Sequence, residues 1–194
     1  MYINRFEDVI GVVALTDIVE GRFVLLAENT VGSYDFGSRT DLPGARVPAT
    51  AEEAKRARYA ITWTVTNGKP PFYQPMPSYD WALRGGAWDQ TGNLPMTSTT
   101  IYTTYPGHQN GRTIPSGYLA LAFAEGTYTI PSGAYIASDS LHVPGAMVIV
   151  ANTDEDTTDA GKLKYQATMD DRVVGYVQSY DSATMDITVK VSNK

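Results

Sequence analysis

The sequence predicts a mainly β protein with one short helix, and three patterns carry that prediction. Met185, Ile187, Val189 and Val191 alternate with Asp186, Thr188 and Lys190, the period of two that gives a strand one buried and one wet face. Tyr59, Ile61, Trp63 and Val65 alternate in the same way with Ala60, Thr62, Thr64 and Thr66, and run into Asn67-Gly68, a strong hairpin signal. Thr113-Ile114-Pro115-Ser116-Gly117 recurs as Thr129-Ile130-Pro131-Ser132-Gly133, and each Pro-Ser-Gly has the chemistry of a turn.

From the N-terminus, Val9–Leu15 and Phe23–Ala27 are short apolar runs expected as strands, with Thr16–Arg22 as a turn-rich connector. Glu28–Ala49 holds three glycines and two prolines with little periodicity, which suggests a long surface loop. Thr50-Ala51-Glu52-Glu53 is a capping box, and the spacing predicts a helix of two to three turns over 51–58. Glu52 and Glu53 favour its positive end, and Lys55, Arg56 and Arg58 its negative end. Those basic residues suit a docking edge or, as is commoner, a solvated helix end.

Beyond Asn67-Gly68 comes a stretch with prolines at 70, 71, 75, 77, 95 and 106 among Phe72, Tyr73, Tyr79, Trp81, Trp88, Tyr102 and Tyr105. Prolines deny a return strand its donors, so an extended arm or loop insertion is expected at about 69–106 within a single domain of residues 1–194. After each Pro-Ser-Gly an apolar segment follows, Tyr118–Phe123 and Ala134–Ala137, as at two hairpin corners of one sheet. Ala146–Val150 and Arg172–Tyr180 are further strands, and Asp181-Ser182-Ala183-Thr184 is the last turn.

Composition excludes several chemistries. The chain has 194 residues, a net charge of −6 and no cysteine. No basic block is present, so nucleic-acid binding through phosphates and attachment to an anionic membrane are both disfavoured. Without cysteine there is no disulfide scaffold, thiolate nucleophile or cysteine zinc site. The acidic residues near Met1 do not suit a signal peptide, and no apolar run has transmembrane length, so synthesis in a cytoplasm is expected. Thirteen tyrosines against five phenylalanines suit half-exposed sheets and interfaces alike.

Candidate chemistry is sparse. His108 and His142 lack metal-pair spacing. Asn152–Asp159 opens like a calcium loop, but Thr157 stands where that loop needs glycine and Leu163 where it needs glutamate, which favours a solvated acidic turn. Asp80, Asp89, Glu125 and Asp139 offer carboxylates for a hydrolase, with nothing in the sequence that pairs them. No phosphate loop, dinucleotide fingerprint or nucleophile elbow occurs. The expectation is a protein without catalytic residues, cofactor or metal.

Ala14–Val24, and then Pro144-Gly145-Ala146, Asp159–Leu163, Val173–Val177 and Ile187–Val191, resemble the opening and closing strands and turns of capsid decoration (cement) proteins of tailed bacteriophages. The resemblance covers about the first and last quarters of the chain. It implies a small β-barrel or jelly-roll-like sandwich on the outer surface of a virion, often a homotrimer. Its partner would be the major capsid protein, and its role to bridge neighbouring capsid subunits after expansion. Tyr2, Phe6, Phe72, Tyr73, Tyr79, Trp81 and Trp88 are then the interface candidates. A carbohydrate-binding, lectin-like module using Tyr79, Trp81 and Trp88 as stacking platforms is the alternative, and a weak glycan contact is compatible with both. A tail or fibre component is a further reading.

Overall fold

A computed structural model describes residues 2–31, 41–63 and 113–192. The strands in this part of the chain are β1 (Tyr2–Ala14), β2 (Ile18–Val19), β3 (Phe23–Ala27), β4 (Gly44–Arg46), β5 (Tyr59–Trp63) and β6 (Thr113–Ile114), followed by β7 (Leu119–Ile130), β8 (Met147–Val150), β9 (Leu163–Gln166), β10 (Gly175–Asp181) and β11 (Asp186–Val191). One α-helical turn, α1 (Ala51–Ala54), and one 3₁₀ turn, Asp139–His142, interrupt them. The protein is all-β, as its alternating sequence requires.

Five strands close into a ring. β1 pairs with β4 and β7, β4 with β3, β3 with β5, and β5 with β7. A ring of five cannot alternate direction throughout, so one neighbouring pair must run parallel. That pair is β1–β4, through Val13↔Gly44 and Ala14↔Ala45. The interior of so small a barrel is narrow. It is filled by Val12, Ala14, Val24, Ala45, Ile61, Ala120 and Ala122, with Ile18 and Ile114 from the short β2–β6 ladder. Four of these nine are alanines because larger side chains from facing strands would collide.

β7 outruns the ring. Its first half, Ala120–Phe123, pairs with β5; its second half, Gly126–Ile130, pairs with β11. From β11 the sheet continues through β10 and β8 to β9. This second wing folds over the barrel wall and makes a sandwich-like second core. Tyr128, Ile130, Val148, Val150, Leu163, Val177, Ile187, Val189 and Val191 pack there against Phe23, Leu25 and Ala60 from the wall and Ala54 and Ala57 from the α1 region. The Phe23 and Tyr128 rings meet edge to face at 5.7 Å. β3 therefore serves two cores, with Val24 inside the barrel and Phe23 and Leu25 outside it. That explains a continuous apolar run where a half-exposed strand would alternate.

Several sequence expectations are corrected. Residues 28–49 are not loop throughout, because β4 runs through 44–46, held by its neighbours β1 and β3 rather than by its own pattern. The helix is one turn and not the two to three expected over 51–58. The chain leaves it at Lys55, whose ammonium pairs with Glu52 at 2.5 Å and Asp171 at 2.7 Å, and Arg58 turns to the end of β11. Residues 172–174 precede β10 instead of opening it, drawn into a turn around the Asp170 carboxylate. Ala134–Ala137 is not a strand, although the two Pro-Ser-Gly turns do repeat in space. Gly117 and Gly133 adopt φ of 84° and 85°, and Tyr118 and Ala134 donate back to Pro115 and Pro131. Ser116 and Ser132 each donate a backbone N–H to an aspartate, Asp17 and Asp186. The arm expected at about 69–106 and the Asn67-Gly68 turn lie outside the described residues.

Candidate functional site

The outward face of the second wing is built by register. Thr127 stands opposite Lys190, Lys190 opposite Tyr176, Tyr176 opposite Met147 and Met147 opposite Gln166, so one row crosses five strands. Period-two alternation sends their neighbours Tyr128, Val189, Val177 and Val148 into the core and this row outward. Tyr176 is 41% exposed, and Lys190 and Gln178 are exposed beside it.

A cleft of about 270 Å³ opens on this face where β7 exchanges β5 for β11. Glu125, Thr127, Gln178, Lys190 and Ser192 line it. Glu125 lies between the two pairings and has φ of 35°, a left-handed conformation that costs a non-glycine residue free energy. It marks the point where β7 passes from the barrel core, at Ala120 and Ala122, to the second core, at Tyr128 and Ile130. Arg58 bridges the same gap: its Nη1 donates to the Ser192 carbonyl at 2.6 Å and its Nε to the Lys55 carbonyl at 3.0 Å. Burial pushes the Arg58 guanidinium down, and the Glu125 charge opposes that shift. Burial, then the Glu125 charge, pushes the Tyr128 phenol up; its hydroxyl donates to the Phe123 carbonyl at 3.0 Å.

Most carboxylates elsewhere in the described residues hold the fold. Glu53 accepts two hydrogen bonds from the Arg46 guanidinium, at 2.7 and 2.6 Å, and one from the Ala49 N–H at 2.8 Å. This fork and the backbone donor hold its carboxyl at about 2, well below the ordinary 4.5. In the acidic turn, Asp156 accepts the N–H groups of Thr158 and Asp159, and Asn152 that of Glu155. Asp159 pairs with Lys162 at 2.7 Å, and Glu155 with Lys164. Arg22 donates to the carbonyls of Thr158 and Asp159, tying this turn to the barrel. Among the described residues no three His, Asp or Glu side chains converge as a metal site.

The structure places the sequence candidates unevenly. Tyr2 and Phe6 stand on β1, at register positions opposite Thr129 and Gly126 of β7. Phe72, Tyr73, Tyr79, Trp81 and Trp88 lie outside the described residues, as do His108, Asp80 and Asp89. His142 stacks on Tyr180 at 3.9 Å with its Nδ1 4.0 Å from Asp139, so Asp139 and Glu125 belong to different surroundings. The cleft is not apparent in the sequence because β7, which carries Glu125 and Thr127, lies far along the chain from the β10–β11 hairpin that carries Gln178 and Lys190. Glu125-Gly126, which breaks the apolar run of β7, is the one local signal that marks it. No helix among the described residues is long and apolar enough to cross a membrane. No family model, curated protein or solved structure matches the chain.

Proposed function

We propose that this chain is a structural virion protein that binds the outer surface of a bacteriophage capsid and stabilises the expanded shell by bridging neighbouring subunits, without catalysis. The observation that carries the reading is where its two candidate contact regions are rooted. Tyr2 lies at one end of the β1–β7 ladder, opposite Thr129, and Phe6 further along it, opposite Gly126. Trp63 and Thr113, the residues flanking the aromatic, proline-rich stretch, are held at the other end, Trp63 opposite Ala120 and Thr113 opposite Val19. From Tyr2 to Val12 the ladder spans roughly 30 Å. Contacts rooted that far apart on one ladder suit a clamp across a seam between two subunits. The resemblance to capsid decoration proteins adds the partner, the major capsid protein, and a homotrimeric state.

Binding only to the expanded shell stabilises that form by mass action. Deletion of residues 70–90 is expected to leave the β circular-dichroism signal and cooperative melting intact while abolishing the rise in shell dissociation temperature given by the full chain. A deletion variant that still protects shells fully would remove the aromatic stretch from the contact. One that unfolds would make that stretch part of the core.

A further inference from the structure

The geometry points to the Glu125 cleft as a binding site for a saccharide, a function separate from shell attachment. Among the described residues, the side chains of Glu125, Thr127, Gln178 and Lys190 make no hydrogen bond or ion pair with one another or with the fold, although they line one cleft. The fold's other carboxylates are largely committed to guanidinium, ammonium or backbone partners. Four polar groups with no such bond among the described residues, gathered where Glu125 is held with φ of 35°, form a set of donors and acceptors on neighbouring strands.

The chemistry of that set selects the ligand. A phosphate or sulfate would face the Glu125 carboxylate, and because the nearby Arg58 guanidinium is given to the Ser192 and Lys55 carbonyls, one ammonium, Lys190, is left to hold it. A divalent cation would find a single carboxylate where it needs several oxygen ligands. An apolar ligand would strand the amide, hydroxyl and charges without partners. A polyol instead offers both donors and acceptors: its hydroxyls give to Glu125 and the Gln178 carbonyl and take from Lys190, the Gln178 amide and Thr127. The Tyr176 ring, exposed and directly across from the lining residue Lys190 in the register, offers an apolar platform next to that side of the cleft. A volume of about 270 Å³ accepts a single hexose ring. About a dozen non-hydrogen atoms in so open a site imply a dissociation constant on the order of 1 mM.

The test is an amide ¹H–¹⁵N titration of the full chain with glucose, galactose, mannose and N-acetylglucosamine, each to about ten times that constant. Saturable shifts clustered at 125–127, 176–178 and 190–192 with at least one sugar are expected. Glu125→Gln should weaken binding about tenfold by removing a charged acceptor, and Tyr176→Ala about fivefold by removing the ring. Absence of shifts with all four sugars overturns the assignment, as do shifts confined elsewhere. Equal binding by both variants, or saturable binding of inorganic phosphate at the same residues, also overturns it. The titration uses no shells, so its failure would leave the bridging role standing, and loss of shell binding would leave the sugar site standing.

Discussion

Replacing Glu53 with glutamine tests how this fold ties its only α-helical turn among the described residues to its sheet. The carboxylate receives three donors at once, from both ends of the Arg46 fork and from Ala49. It thereby clamps the end of β4 to the start of α1. The carbonyls of Pro48 and Ala49 in that link in turn accept from Thr153 and Asp154 of the acidic turn, so the clamp also seats that turn. A carboxyl held at about 2 against an ordinary 4.5 corresponds to about 3 kcal/mol of linkage at neutral pH. Solvent reaches a side chain 20% exposed, which reduces the expected loss to about 2 kcal/mol. The sign follows from the depressed value. The contribution is fully present above the unfolded-state value and is lost as pH falls from about 4.5 toward 2. Urea unfolding of wild type and Glu53→Gln at a series of pH values should therefore give curves about 2 kcal/mol apart at neutral pH that converge near pH 2. A constant difference across that range, or one below about 0.5 kcal/mol at neutral pH, would refute the reasoning.

Other outcomes follow from the same packing. Gly175→Ala would bring a Cβ to 2.1 Å from the Lys190 carbonyl oxygen, backbone that cannot yield without breaking β10 from β11; a loss of about 3 kcal/mol and a Tm lowered by roughly 10 °C are expected in a thermal melt. Tyr128→Phe removes the donor to the Phe123 carbonyl and should cost about 1 kcal/mol. Tyr128→Ala opens a cavity against Phe23 and should cost about 4 kcal/mol in urea unfolding. Thr50→Ala removes the oxygen that accepts the Glu53 N–H at 3.2 Å and should cost about 1 kcal/mol.

Legibility in the sequence followed the burial of each element. The last strand was plain because β11 has one buried face, and Ile187, Val189 and Val191 alternate with what faces away. Met185 shared that pattern but belongs to the turn, with φ of 61°, because its N–H closes back on the Asp181 carbonyl. β3 was recognisable as a strand, while its two-sided role depended on a second wing formed over 100 residues later. β4 carries no pattern of its own: Gly44, Ala45 and Arg46 are extended because β1 and β3 flank them. Only the first half of β7 was foreseen, since Glu125 and Gly126 interrupt its apolar run at the place where its partners change. The helix was overextended because Lys55 and Arg58 resemble a helix end in sequence, whereas in space they are tethers to Asp171 and Ser192. The cleft was invisible for the same reason: cross-strand register, not chain order, assembles it.

The bridging role is tested most directly by sedimenting the chain with purified expanded shells and with unexpanded ones, its mass in solution measured in parallel by light scattering. A trimer that pellets with expanded shells at a saturable, symmetric stoichiometry and stays in solution with unexpanded ones is the predicted result. A monomer that remains in the supernatant with both would contradict it.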